Sequence, residues 1–316
     1  MTAVGEFPRA PILFFCLYII AGSCRAQDLA PRAYIITPIH SNAVTLTYSF
    51  LDGSIEFAGN VPITGSTATV NLSTISIYHS FKFFGRSANF TAFLPYGVGD
   101  FTGNVGETGV HAYRSGLLPA VFRFSVNLLG GPAMDIDEFR KWKQKTLLGL
   151  SFRLVPPTGQ YDPTKLINYG SNRWAFKPEF GYSRRRGHWI LEAYLGAWFF
   201  TENPEVFSHN QYYPGLNRQS QDPMGVIEGH LNYDFKPRLW VSLDGNFWFG
   251  GSTALNGVPS PGTQQRSSRV GATASIPFTR HQSLKFSYSR GAYIRHGGDY
   301  QSVSAGWQYS WLGRPN

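Results

Sequence analysis

The sequence predicts an all-β fold, an antiparallel transmembrane β-barrel of about twelve strands, with short turns at one end and long loops at the other. Three observations predict it. Segments of about ten residues alternate apolar and polar side chains, the length that a tilted membrane strand needs. Short and long connections follow one another in turn. Aromatic residues make up 16% of the chain while charged residues are only 15%, against roughly 25% in an average soluble protein.

The amino terminus reads as an export signal. Arg9 precedes the apolar run Pro11-Ile12-Leu13-Phe14-Phe15-Cys16-Leu17-Tyr18-Ile19-Ile20-Ala21, and small residues lead on to Ala26-Gln27. A basic start, a short apolar run and a small residue before the cut describe a secretory signal peptide. We therefore expect a signal over 1–26 and the barrel over 27–316. The competing reading is a lipoprotein signal acylated at Cys24, against which stands the absence of a bulky aliphatic residue three positions earlier. Both cysteines, Cys16 and Cys24, lie inside the leader, so the mature chain carries none. That suits passage through an oxidising periplasm. No later run is long enough for a membrane helix, so a membrane crossing must use strands.

The alternation continues along the mature chain. Val44, Leu46, Tyr48 and Phe50 share one face. A less regular second strand over 69–84 carries Ile75, Ile77, Phe81 and Phe83. Ala88, Phe90, Ala92, Leu94 and Tyr96 follow, then Phe122, Phe124, Val126 and Leu128 opposed by Arg123, Ser125 and Asn127. Leu148, Leu150, Phe152 and Leu154 oppose Ser151 and Arg153. Trp174, Phe176, Phe180 and Tyr182 oppose Lys177 and Glu179. Trp189, Leu191, Ala193, Leu195, Ala197 and Phe199 oppose Glu192 and Tyr194. Ile227, Leu231, Tyr233 and Phe235 oppose Glu228, His230, Asn232 and Asp234. Leu239, Val241, Leu243, Phe247 and Phe249 oppose Ser242, Asp244 and Asn246. Three last segments carry Val270 to Ile276, Leu284 to Tyr288, and Val303 to Trp311.

Short links are expected at 84–87, 184–187, 236–238 and 277–281. Long ones, rich in Gly, Pro, Asn and Asp, are expected over 97–117, 156–172, 202–222, 251–266 and 291–301. Outer-membrane barrels pair short periplasmic turns with long outer loops in this manner, which places both termini in the periplasm. A soluble sandwich or lipocalin-like barrel would alternate too, but needs neither this asymmetry nor so many outward aromatics. One link breaks the rule. Residues 129–144 should be a short turn, yet Pro132 to Lys143 reads as a helix, acidic early and basic late, as the helix dipole favours. It either lies along the membrane interface or caps the barrel mouth, unless it is a loop that is helical without further purpose.

The final strand ends Ser304-Ala305-Gly306-Trp307-Gln308-Tyr309-Ser310-Trp311. Ser304, Gly306, Tyr309 and Trp311 match the insertion signal read by the barrel-assembly machinery of outer membranes, apart from the five-residue tail that follows. The stretch Pro156-Pro157-Thr158-Gly159-Gln160-Tyr161-Asp162-Pro163-Thr164-Lys165-Leu166-Ile167-Asn168-Tyr169-Gly170-Ser171-Asn172-Arg173-Trp174 resembles the central signature of the phenol-degradation MetA-pathway family of outer-membrane transporters. Lys177-Pro178-Glu179-Phe180-Gly181, Leu191-Glu192-Ala193 and Trp198-Phe199-Phe200-Thr201-Glu202-Asn203 are similar as well. The resemblance implies an outer-membrane channel for passive diffusion of small aromatic or otherwise hydrophobic compounds. It supplies no site residues to carry over.

If the apolar face meets lipid, the other face lines a lumen. Arg123, Arg153 and Lys177 then form a basic wall, Glu179, Glu192, Glu228 and Asp244 an acidic one, with His230 among them and Arg269 and Lys285 beyond. Such walls either set a transverse field across a water-filled pore or pair and lock a narrow barrel shut. The net charge of +9 falls to about +8 when Arg9, Arg25 and Glu6 leave with the signal. Its basic residues are dispersed along strands and turns, which argues against a nucleic-acid partner. The expected partners are outer-membrane lipids and lipopolysaccharide, the assembly machinery and a small-molecule solute; no cofactor and no metal are expected.

Catalysis is the second class of reading. His40, His79, His111, His188, His209, His230, His281 and His296 are available, but no Gly-x-Ser-x-Gly elbow, helical histidine pair or phosphate loop is present. Only His230, near Glu228 on one strand face, has a spacing that could orient an imidazole. A structural or adhesive barrel acting through loops such as 201–223, with Asn203, His209, Tyr212 and Tyr213, is the third.

Overall fold

In the computed structural model, residues 29–56, 63–211, 213–260, 262–295 and 297–313 are described. The expected signal over 1–26, Tyr212, His296 and the last three residues of the tail lie outside them.

The alternating segments form strands because they are rich in aromatic and β-branched residues, which suit a pleated surface. In chain order they are β1 (Ser41–Glu56), β2 (Ile63–Phe83), β3 (Arg86–Val105), β4 (Thr108–Leu117) and β5 (Val121–Leu129). After helix α1 (Ile136–Lys141) come β6 (Thr146–Val155), β7 (Ala175–Arg186), β8 (Trp189–Phe200), β9 (Gln219–Gln221), β10 (Met224–Lys236) and β11 (Leu239–Gly250). The chain ends with β12 (Thr253–Leu255), β13 (Val258–Pro259), β14 (Gln265–Pro277), β15 (Gln282–Ile294) and β16 (Gly297–Leu312).

Thirteen of these make one antiparallel sheet, closed by β1 pairing with both β2 and β16. The wall has twelve positions, because β4 and β5 share one edge of β3. Their break falls at Leu118-Pro119-Ala120. Pro119 has no N–H to give a ladder, and Leu118 instead donates to the Pro95 carbonyl at 2.9 Å. β9, β12 and β13 form a separate three-stranded sheet in the loops.

The exposure pattern is inverted relative to a soluble protein. Leu195, Ile227, Leu243 and Val270 are exposed, while Tyr194, Glu228, Asp244 and Arg269 beside them in sequence are buried. Lipid, not water, is the solvent that makes this favourable.

Three of the short turns stand where expected, for example Phe84-Gly85 between Phe83 and Arg86, while the one expected over 184–187 falls later, at Gly187-His188, because β7 runs on to Arg186. They share an end with Ser41 and Leu312, which pair. Two expected long loops are instead mostly strand. Residues 97–117 extend β3 and β4 into a hairpin closed between Val105 and Thr108, and 291–301 is taken up by β15 and β16. Their Gly and Asn content suggested loops, but interleaved Val, Thr, His and Tyr let the ladder run on. The expected helix is shorter than its sequence pattern. Only Ile136–Lys141 is helical; Asp135 caps it by accepting from the Asp137 and Glu138 N–H groups, and Pro132 bridges to Arg86.

The plugged lumen as candidate functional site

Residues 29–40 precede the first strand and enter the barrel from the short-turn end. They bend at Arg32 (φ 67°) and at His40 (φ 62°). Two contacts anchor them at the mouth: the Ile39 N–H donates to the Met134 carbonyl (2.8 Å), and the His40 N–H to that of Ser80 (2.9 Å). Ile36 is buried against Met134 and Leu147, with Phe139 and Trp142 of the α1 region packed over them. The helix therefore caps the mouth and holds the segment in place.

Deeper in, Tyr34 is completely buried. Its hydroxyl lies 2.9 Å from Ser151 Oγ and donates to Glu179 Oε1 at 3.0 Å. The ring rests on Gly149 and Gly181, register partners on β6 and β7, and meets the Tyr194 ring edge-on at 5.0 Å. Around it the segment's backbone is tied to two strands, β8 and β5. The Arg32 N–H donates to Glu192 Oε2 (2.8 Å), the Ala33 N–H to Tyr194 (3.1 Å), and Arg123 Nη1 to the Ala33 carbonyl (3.0 Å). The Arg32 side chain reaches Asp234 at 2.5 Å and lies over the Trp240 ring.

Every sequence-predicted interior residue has its side chain on this face. Arg123, Lys177, Glu179, Glu192, Glu228, His230, Asp244 and Arg269 are buried, and Arg153 and Lys285 are half-buried. They do not form a basic wall opposite an acidic one. Opposite charges instead meet along one strand, across neighbouring strands and across the intervening β8. Lys177 Nζ contacts Glu179 at 2.5 Å and Glu228 at 2.8 Å; His230 Nδ1 lies 2.8 Å from Asp244, which also accepts from Thr273 (2.8 Å) and Ser242 (2.5 Å). Asn232 donates to Glu192 at 2.9 Å. The reason is register. Arg123, Arg153 and Lys177 are direct cross-strand neighbours, and three like charges side by side need carboxylates in the next row. Arg153 and Lys177 also lie over the Trp198 ring, at 6.0 and 5.9 Å. Arg269 packs on the Tyr300 ring at 4.0 Å and donates to its carbonyl, and Lys285 lies 6.0 Å from the Trp240 ring.

The opposite wall is different in kind. On β1, β2, β15 and β16 much of the inward row is small and uncharged: Thr45, Thr47, Ser49, Thr74, Ser76, Ser287, Ser289, Ser302 and Ser304, with Tyr78, Lys285 and Tyr300 as its larger members. They are half-buried, so this side of the interior is not filled by protein as the charged side is.

Towards the long-loop end the interior turns apolar. Val155, Ala175, Trp198, Met224, Val226 and Trp248 form a buried cluster with Val121, Phe200 and Ile294 against it. Loops 156–174 and 202–222 fold over it. Asn203 donates to Tyr161 (2.9 Å), Tyr161 to the Glu205 carbonyl (2.8 Å), and Arg173 bonds Gln221 and stacks on Phe200 at 4.6 Å. Burial raises the Tyr161 phenol pKa.

The Ser242 hydroxyl donates to Asp244 rather than to His230, so the two are not arranged as a serine–histidine pair. His230 is bonded to Asp244, with Glu228 farther away at 3.8 Å. Among the described residues no group of three His, Asp or Glu side chains is placed to hold a metal ion.

Sequence reasoning missed the inserted segment with its Arg32 and Tyr34, the part that Ser151 plays in receiving it, and the place of Trp198 in the apolar cluster. One signal was present: Gly149 and Gly181 interrupt the inward row of β6 and β7 at the same level, which is where another chain can come close.

The family described as "Putative MetA-pathway of phenol degradation" matches residues 53–295. In structure the chain is similar to an outer membrane channel from Pseudomonas putida F1, with 17% identity, TM-score 0.75, and 90% of this chain and 100% of that chain covered. It is also similar to the transport unit of the autotransporter AIDA-I from Escherichia coli (10% identity, TM-score 0.50, coverage 92% and 95%). The β domain of the Bordetella autotransporter BrkA gives 16% identity, TM-score 0.49, and coverage of 86% and 99%. No protein of curated function matches the sequence.

Proposed function

The chain belongs to the MetA-pathway phenol-degradation family, and from that premise we propose that it is an outer-membrane channel for passive diffusion of small aromatic or otherwise hydrophobic compounds. The observation that carries the proposal is the division of the interior. One wall is closed by the inserted segment and its charge network; the other is lined by half-buried hydroxyl groups. A narrow path along the hydroxyl side suits small solutes with little charge, which lose few water hydrogen bonds on entry. The apolar cluster of Trp198, Trp248, Met224 and Val226, buried beneath the outer loops, closes the charged side at that end.

In this reading Arg123, Arg153, Lys177, Glu179, Glu192, Glu228, His230, Asp244, Arg269 and Lys285 line the lumen and fix its shape, with pairing as their main role. Lipid surrounds the barrel, with lipopolysaccharide at the long-loop end. The assembly machinery recognises β16 through Ser304, Gly306, Tyr309 and Trp311; the exposure of Tyr309 and Trp311 on the lipid face supports this.

The test is single-channel conductance of the refolded chain in a planar bilayer, in salt and then with added aromatic acids. Discrete openings that such solutes block support the proposal. Arg153→Ala and Glu192→Ala should each change conductance or ion selectivity; if both leave them unaltered, the lumen assignment is wrong. An adhesive role is the second reading, favoured by the small sheet that β9, β12 and β13 build in the outer loops. Solute uptake by intact cells separates the two.

A further inference from the structure

We propose that the lipid-facing end of β7 is a binding site for an anionic phospholipid headgroup, built on Arg184 and Arg186. Both arginines are exposed and stand on the same strand face as Phe180 and Tyr182, the face turned to lipid. They lie about 7 Å apart, two residues along one strand. Arg185 between them points inward and pairs with Asp234 at 2.6 Å. Its N–H donates to the Lys145 carbonyl at 2.8 Å, which brings a further basic residue alongside. Arg186 is the register partner of Trp189 on β8, whose ring is exposed at the same level. Among the described residues neither Arg184 nor Arg186 has a carboxylate within ion-pair distance.

The physical argument has three steps. A guanidinium on a bilayer-facing strand is unfavourable in hydrocarbon and becomes tolerable only where its head reaches the headgroup layer. Flanking aromatics such as Trp189 and Tyr182 mark that layer. Two guanidinium groups there, with no carboxylate within ion-pair distance of either, match a phosphate oxygen set that carries net negative charge. A zwitterionic headgroup would bring its own cation into an already basic corner. The site therefore selects phosphatidylglycerol-like lipid in the leaflet at the short-turn end. It rests on the barrel's place in a membrane but not on what passes through the lumen.

The test uses the full refolded chain with equimolar phosphatidylglycerol and phosphatidylcholine, reading retained lipid by native mass spectrometry. Heat-modifiable gel migration reports the folded barrel. The wild type should retain the anionic lipid by about fivefold or more over the zwitterionic one. Arg184→Gln/Arg186→Gln should abolish that preference, whereas Arg266→Gln/Arg290→Gln at the other end should keep it. Equal retention by the folded wild type, or undiminished preference in the Arg184/Arg186 variant, overturns the site. Displacement of the lipid by an equal concentration of inorganic phosphate overturns the lipid assignment in favour of a free anion. Failure of the wild type to form a heat-modifiable barrel in either lipid overturns the membrane reading and this site together.

Discussion

A β-carbon built on Gly181 would stand 2.1 Å from Cε2 of Tyr34, so the inserted segment is seated directly on bare backbone. On the adjacent strand Gly149 makes the same demand, with its β-carbon 2.4 Å from Tyr34 Cδ1. The two glycines form a flat floor for one aromatic ring, and the ring closes the charged side of the lumen.

Gly181→Ala should therefore unseat Tyr34 without breaking the barrel. Overpacking of this kind costs about 1–3 kcal/mol, and the segment can relieve it by leaving. The expected result is higher single-channel conductance with unchanged heat-modifiability. Tyr34→Ala should act in the same direction. Gly229→Ala, where an added β-carbon meets nothing within 4 Å, should leave conductance as it was.

Lys177 is 3% exposed and lies between Glu179 and Glu228. Lys177→Met would leave both carboxylates buried without their shared cation, which typically costs about 3–5 kcal/mol. A lower urea midpoint is expected. Adding Glu228→Gln should restore part of the loss, since one buried charge is then gone. A double variant no more stable than Lys177→Met would mean that the pair contributes little.

If solutes follow the hydroxyl wall, filling it should block them. Ser304 donates to Ser49 across β16 and β1 at 2.7 Å, in the half-buried row. Ser304→Trp should cut conductance by about twofold or more by narrowing that side. The same variant combined with Gly181→Ala should recover current through the vacated segment. Unchanged current in Ser304→Trp alone would place the path elsewhere.

The loop that carries the family signature has a pH limit. Hydrogen bonds from Thr164, then Lys165, lower the Asp162 pKa from its ordinary 3.8. A lowered carboxyl pKa contributes stability that is full above the unfolded value and is lost as pH falls through the folded one. Hydrogen exchange at Thr164, whose N–H donates to Asp162 at 3.0 Å, should be protected at neutral pH and lose protection, relative to its intrinsic rate, below about pH 3.8. Asp162→Asn should remove the pH dependence.

The sequence by itself determined the barrel. Alternation along each strand depends only on which side chains face lipid, so Leu195 against Tyr194, or Leu243 against Asp244, is legible from parity alone. Three of the short turns were legible for the same local reason, as at Phe84-Gly85. Parity likewise puts Arg123, Lys177, Glu192 and Asp244 on the strand face away from the exposed apolar residues, and there they are buried. What alternation could not give was their partners. Lys177 reaching Glu228 on β10, or His230 meeting Asp244 on β11, depends on strand register, which many distant residues fix together. It could not place residues 29–40 either. They have no periodicity, and their position inside the lumen exists only once twelve strand positions have closed around them. The tertiary structure alone decided that Tyr34 rests on Gly181, because residues 147 positions apart in the chain meet only when the barrel is complete.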